Sequence, residues 1–288
     1  MAPHSLAESS SGSRRRARCR WEDTEALPEL PELPELREVL SEARRLGYMG
    51  PGDIEAHIGH SGAFACVVTS LLDGAPSAVL SRLADLGSGS GLPALLIALG
   101  LKASARCVLI EGSARRAAFL DGALRRLGLT GSAGVIAARA EEVGQRPELR
   151  GTFDIVTARA FGRPAVAVEC AAPLLRVGGH LVVSEPPSRR VSVNLAGPSG
   201  RSGPSGVAGL GAPAPVGPSE LATTPAAPVE LPLPPAIRWR PEALLRVGLE
   251  LVGPRREAGL TFMVLRQIEL CPTGFPRRAG IPEKRPLF

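Results

Sequence analysis

Aromatic side chains make up 3% of the 288 residues, and lysine occurs twice, at Lys102 and Lys284. The five cysteines (Cys19, Cys66, Cys107, Cys170 and Cys271) are widely scattered and form no CxxC pair. That spacing excludes a zinc knuckle and a disulfide framework. It predicts reduced thiols in a cytoplasmic protein, with Cys66, Cys107 and Cys170 as small buried hydrophobes. No apolar run approaches the roughly 20 residues of a membrane helix, so the chain is not expected to span or bind a membrane. The arginines near the N-terminus are not followed by an apolar stretch of signal-peptide length, and secretion is not expected. No Ser/His/Asp or metal-ligand constellation is present, so no catalytic base and no metal site is assigned.

Glycine and proline are abundant instead, at 33 and 28 residues, about a fifth of the chain. Ordinary usage of the pair is nearer 12%. The 44% apolar fraction is ordinary, so the excess must be concentrated in segments that do not build the core. Charge is also unevenly laid out. Residues 1–78 hold 8 basic and 12 acidic side chains, whereas 79–288 hold 26 and 16. The net positive body suits a polyanionic partner.

Residues 1–37 combine a serine-rich start, the basic run Arg14 to Arg20 and a Pro-Glu-Leu repeat from Leu27 to Leu36, which reads as a disordered tail. Residues 38–78 form a helical segment, broken by Gly50-Pro51-Gly52, with Asp53 capping a helix from Ile54. Residues 79–186 alternate strands (81–86, 107–110, 135–138, 153–157, 180–183) with helices near 92–101, 114–127 and 164–174, which predicts an α/β fold with a mostly parallel, doubly wound sheet. Gly178-Gly179 is read as leading into the fifth strand. Residues 186–235 contain 12 prolines and 7 glycines without period, so 187–235 reads as a disordered insertion. Residues 236–270 complete the sheet with a short helix and two strands joined by Gly253-Pro254 and a polar turn, an antiparallel pair at the edge. A basic tail, 271–288, closes the chain.

The segment Asp85-Leu86-Gly87-Ser88-Gly89-Ser90-Gly91-Leu92-Pro93 ends the first strand and opens a helix, a place where backbone amides can approach a ligand closely. Glu111 ends the second strand, where an acid can accept from ribose hydroxyls. The glycines alternate as Gly-x-Gly-x-Gly, without dinucleotide spacing, and Asp85 beside them suits a cationic ligand better than a pyrophosphate. This favours S-adenosylmethionine over NAD and argues against a dehydrogenase.

That loop is followed in order by Arg115-Arg116-Ala117-Ala118-Phe119-Leu120, Arg139-Ala140-Glu141-Glu142 and Thr157-Ala158-Arg159-Ala160-Phe161. As a set these resemble the glucose-inhibited division protein B family, the RsmG-type methyltransferases of small-subunit ribosomal RNA. The tail Phe275 to Leu287 is similar to the basic, proline-punctuated tail of many members. The resemblance implies a Rossmann-like class I S-adenosylmethionine-dependent methyltransferase with helices on both sheet faces and an antiparallel edge. It implies cofactor contacts at Gly87, Leu92, Ala140, Glu141 and Arg159, to which Asp85, Gly89 and Glu111 are added as above. It further implies methyl transfer to N7 of a guanine in 16S rRNA, with the rRNA or small ribosomal subunit as partner and the cytoplasm as location. N7 carries no proton, so alignment rather than a strong base is needed.

The chain departs from the family pattern in three places. It has no Asn-Leu-Thr segment before the first strand. Ile58-Gly59-His60-Ser61 follows His57 in place of Leu-Asp-Ser or Leu-Asn-Ser, and Val183-Ser184-Glu185-Pro186 replaces Leu-Lys-Gly after the fifth strand. The alternative is a divergent relative that binds S-adenosylmethionine or RNA without rRNA methylation, or that methylates another substrate.

Overall fold

In a computed structural model, which describes residues 34–72, 80–101, 104–186 and 238–288, successive strand residues point to opposite faces of one sheet. Leu83, Leu109, Ile155, Val182 and Val264 enter one apolar cluster, whereas Ala84, Ile110, Val156, Leu181 and Met263 enter a second. A sheet buried on both faces needs apolar residues at every position, and this explains why its strands read as continuous apolar runs.

The strands are β1 (Ser81–Leu86), β2 (Ala105–Glu111), β3 (Ala133–Ala137), β4 (Phe153–Ala158), β5 (Leu175–Ser184), β6 (Leu249–Glu257) and β7 (Leu260–Gln267). Their order is β3-β2-β1-β4-β5-β7-β6. The first five are parallel, and β7 runs antiparallel to both β5 and β6. Leu86 pairs with Ile110 on one side and with Ala158 on the other, so the carboxyl ends of β1, β2 and β4 lie level. Strand order reverses between β1 and β4, which opens the crevice where such sheets bind ligands.

The first face is covered by α1 (Pro34–Arg45), α2 (Ile54–Leu72), α3 (Ala94–Gly100) and α4 (Ala114–Arg126); α5 (Ala140–Gly144), α6 (Pro164–Ala171) and α7 (Pro241–Leu245) cover the second. A last turn, α8 (Ile281–Lys284), lies near the C-terminus. α1 buries Leu36, Val39, Leu40 and Ala43 at helical spacing. It starts at Pro34, inside the segment read as a tail, because proline lacks only a donor that the first helical turn leaves unused. Asp53 caps α2 as expected, its carboxylate accepting from the Ala56 amide at 2.5 Å.

Some local expectations need correction. Gly178-Gly179 lies inside the longer β5, and a Cβ at Gly179 would stand 2.9–3.0 Å from three backbone oxygens, so the strand can pass there only as glycine. Gly253-Pro254 does not join β6 to β7 but sits within β6, at a register shift after Leu251. An edge strand tolerates proline, and the turn is Ala258-Gly259, both at positive φ. The helices α5 and α8 were not expected. Cys107 and Cys170 are buried, and burial pushes the Cys107 thiol up to about 12. Cys66, by contrast, is only half-buried. Cys19, the basic run, most of the Pro-Glu-Leu repeat and the insertion at 187–235 lie outside the described residues.

The C-terminal segment is an ordered strap. Arg150 donates to the carbonyls of Phe275 (2.6 Å), Cys271 (2.9 Å) and Pro272 (3.1 Å), and Gln145 donates to that of Pro276. Arg277 grips the fully buried Glu169 of α6 through Nε at 2.8 Å and Nη2 at 2.6 Å, while its amide donates to the same carboxylate at 2.9 Å. Of the tail's four cations, Arg277 is thus committed to packing, whereas Arg278, Lys284 and Arg285 remain exposed.

Candidate active site at the switch point of the sheet

β1 ends in a loop whose glycines at 87, 89 and 91 have φ of 64°, 52° and 97°. Side chains rarely adopt that region, so the alternating glycines are what let the loop turn here. Close packing adds to the demand. A Cβ on Gly87 would lie 2.7 Å from Cδ2 of Phe161. The amides of Gly87 and Ser88 both donate to the Ile110 carbonyl, at 2.8 and 3.2 Å, which ties the loop to β2.

Glu111 completes that tie. One carboxylate oxygen accepts from the Gly89 amide at 2.9 Å and the other from the Ser113 amide at 2.9 Å. Each oxygen keeps a second acceptor site. Asp85 lies beneath the loop, 4% exposed, and accepts from the Thr157 hydroxyl at 2.6 Å. Burial pushes its carboxyl up to about 6, although the Thr157 hydrogen bond and nearby Arg159 pull the other way.

Arg159 leaves the end of β4 toward α2. Its Nη2 meets His57 Nδ1 at 2.5 Å and its Nη1 reaches Ser61 Oγ at 3.5 Å. His57 Nε2 faces the carbonyls of Pro51 (3.0 Å) and Gly50 (3.3 Å), which require a donor there and leave the Nδ1 lone pair for Arg159. Burial lowers the Arg159 guanidinium below its ordinary range, and Asp85 opposes that shift. His60, which stands in the segment that departs from the family pattern, lines the same cavity as this arginine.

A cavity of about 360 Å³ opens beyond Arg159, lined among others by His60, Phe161, Ser184, Glu185 and Arg238. Phe161 forms the shared wall between this cavity and Gly87. Burial, with Arg159 and His57 nearby, pushes His60 down to about 4. Its Nδ1 is buried and finds no hydrogen-bond partner among the described residues. Glu185 is fixed from two sides: Trp239 Nε1 donates to one oxygen at 2.7 Å, and Arg238 Nε lies 3.2 Å from the other.

Of the eight residues singled out from sequence, the fold gathers Asp85, Gly87, Gly89, Glu111 and Arg159 around the switch point, and Arg159 alone of the eight lines the cavity. Leu92 and Ala140 are buried and pack into the first and second clusters. The Glu141 carboxylate is turned to the strap, accepting from the Gly280 amide at 2.9 Å. Burial works to raise that carboxyl, but the Gly280 amide and Arg139 outweigh it and leave it below the ordinary carboxylate range. Sequence reasoning missed His60, Arg238 and Trp239 as members of the site. Trp239 meets Glu185 across 54 residues of chain, so no local spacing announces the pair.

A seven-stranded sheet of this order, with an antiparallel β7 and a glycine loop at its switch point, defines the Rossmann-like class I S-adenosylmethionine-dependent methyltransferase fold. Residues 65–186 match the family described as rRNA small subunit methyltransferase G. Among curated relatives, the ribosomal RNA small subunit methyltransferase G of Rubrobacter xylanophilus is 33% identical over 213 residues, 74% of this chain and 67% of that protein. Its namesake in Roseiflexus castenholzii is 32% identical over 72% of this chain and 71% of that protein. The one from Pelotomaculum thermopropionicum is 30% identical over 72% and 70%. The chain belongs to the rRNA small subunit methyltransferase G family.

Proposed function

We propose that this protein transfers a methyl group from S-adenosylmethionine to N7 of a guanine in 16S rRNA, with the small ribosomal subunit as its partner and the cytoplasm as its place of action. The observation that carries the reading is the position of Phe161: its ring packs against Gly87 of the glycine loop, and it also lines the cavity of about 360 Å³ that holds Arg159. The residues present fit the cofactor, because the positive-φ glycines at 87, 89 and 91 turn the loop backbone at the carboxyl end of β1 and Asp85 offers a buried carboxylate to a cationic ligand.

In this reading Gly87, Gly89, Leu92 and Ala140 offer backbone, and Glu111 offers its spare lone pairs to ribose hydroxyls while holding the loop. Glu141 takes part through the backbone at the start of α5, since its side chain anchors the strap. When bound, S-adenosylmethionine supplies an electrophilic methyl on a sulfonium sulfur. The guanine N7 lone pair would form the new N–CH3 bond as the sulfonium S–CH3 bond breaks, so that S-adenosylhomocysteine leaves and the positive charge passes to the base; no proton is removed, so no residue is needed as a base. The chain's own work is alignment and exclusion of water. Phe161 offers a ring face to a base lifted from its stack. Arg159, held by His57, places a donor beside the reacting edge. Arg278, Lys284 and Arg285 of the strap remain for RNA phosphates. Among the described residues no helix is long and apolar enough to cross a membrane.

The test is transfer of labelled methyl from S-adenosylmethionine to small subunits that lack the mark, with calorimetry of cofactor binding in parallel. Label in 16S rRNA supports the reading. Cofactor binding without label on RNA points to another substrate, and no cofactor binding leaves an interaction protein.

A further inference from the structure

The geometry points to Glu185 as the residue that reads the Watson–Crick edge of the target guanine, an inference that rests on the reading above. Glu185 is the single carboxylate among the described residues that line the cavity; its titratable neighbours there are His60, Arg159 and Arg238. Trp239 and Arg238 each occupy one of its oxygens, at 2.7 and 3.2 Å, and its amide donates to the Thr261 carbonyl at 2.9 Å. A carboxylate has about four acceptor sites, so one lone pair per oxygen is left, in an orientation already fixed. The side chain is 13% exposed, so those lone pairs meet a ligand largely shielded from water.

Guanine carries two adjacent donors on that edge, N1–H and the N2 amine, across the ring from N7. A bidentate carboxylate complements them. A base that directs N7 toward the glycine loop therefore directs its donors away from it, toward the outer wall. O6, between the two edges, is an acceptor that the Arg159 guanidinium can meet. Adenine reverses this pattern, setting an N1 lone pair against the carboxylate and an amine against the arginine, so the same wall repels it.

The experiment uses the full chain and reconstituted small subunits whose 16S rRNA carries guanine, inosine or adenine at the methylated position, once that position is mapped. Inosine lacks only the N2 amine. Loss of a hydrogen bond to a charged acceptor predicts a wild-type guanine preference over inosine of about 10- to 100-fold in kcat/KM, and no detectable transfer to adenine. Glu185→Gln keeps an acceptor for Trp239 and is expected to shrink the guanine-to-inosine ratio to about threefold or less, with cofactor affinity retained. The ratio is read within each variant, so a general loss of activity does not mask it; Glu185→Ala serves as the second variant. A ratio unchanged in both variants overturns the role of Glu185 and leaves the methyltransferase reading standing. Absence of transfer from the wild type to guanine-bearing subunits overturns that reading and this inference with it.

Discussion

Arg159 and His57 lie 102 residues apart and meet at 2.5 Å, joining the end of β4 to the start of α2 across the switch-point crevice. The contact fixes where the guanidinium points, because His57 is itself held by the carbonyls of Gly50 and Pro51. His57→Ala is therefore expected to lower kcat about tenfold through misalignment while leaving cofactor affinity within about threefold. Steady-state kinetics beside calorimetry check the split; equal losses in both would show that His57 merely supports the fold.

Gly87 combines φ of 64° with a ring 2.7 Å from where its Cβ would lie. Gly87→Arg is expected to abolish S-adenosylmethionine binding in calorimetry while the far-ultraviolet circular dichroism stays native. Retained binding would place the cofactor elsewhere.

Asp85 gives a pH signature. Its folded pKa is raised to about 6 from an ordinary carboxyl value, so its contribution to stability is complete below about pH 4 and is lost as pH rises through 6. Asp85→Asn is expected to stabilise the ligand-free protein at pH 8 by about 1–3 kcal/mol, a gain that vanishes near pH 4. Cofactor affinity should move oppositely: it rises in the wild type between pH 5 and 7 as the carboxylate forms, and stays flat and weak in the variant. Urea titrations and calorimetry at several pH values read both.

The strand β1, its glycine loop and Glu111 were legible from sequence because their signal is local: an apolar run, alternating glycines, an acid closing the next strand. The antiparallel edge was legible as a pair of late strands, but its turn was misplaced, since a bulge absorbs Gly253-Pro254 inside β6. α5 and α8, of five and four residues, are too short to show a helical period. The strap was legible as basic but not as packed. Glu169 looks like the polar residue of an apolar helix, and only its partner, 108 residues on, explains its burial.

That pair predicts a stability effect distinct from the site. Arg277→Ala leaves the Glu169 carboxylate fully buried with one backbone donor, and is expected to cost about 3 kcal/mol in urea unfolding. Glu169→Gln, which is neutral and keeps one acceptor oxygen for Arg277 while its NH2 faces the other donor, should cost less, about 1–2 kcal/mol. A smaller loss in Arg277→Ala than in Glu169→Gln would mean that the strap is not anchored there.

The most direct measurement is chemical mapping of N7-methylguanine in 16S rRNA, after small subunits without the mark are incubated with S-adenosylmethionine and either the wild-type protein or Arg159→Ala. The account predicts one N7-methylated guanine from the wild type, formed at least about 100-fold more slowly by the variant. Methylation at a different atom, or at an equal rate in Arg159→Ala, would contradict it.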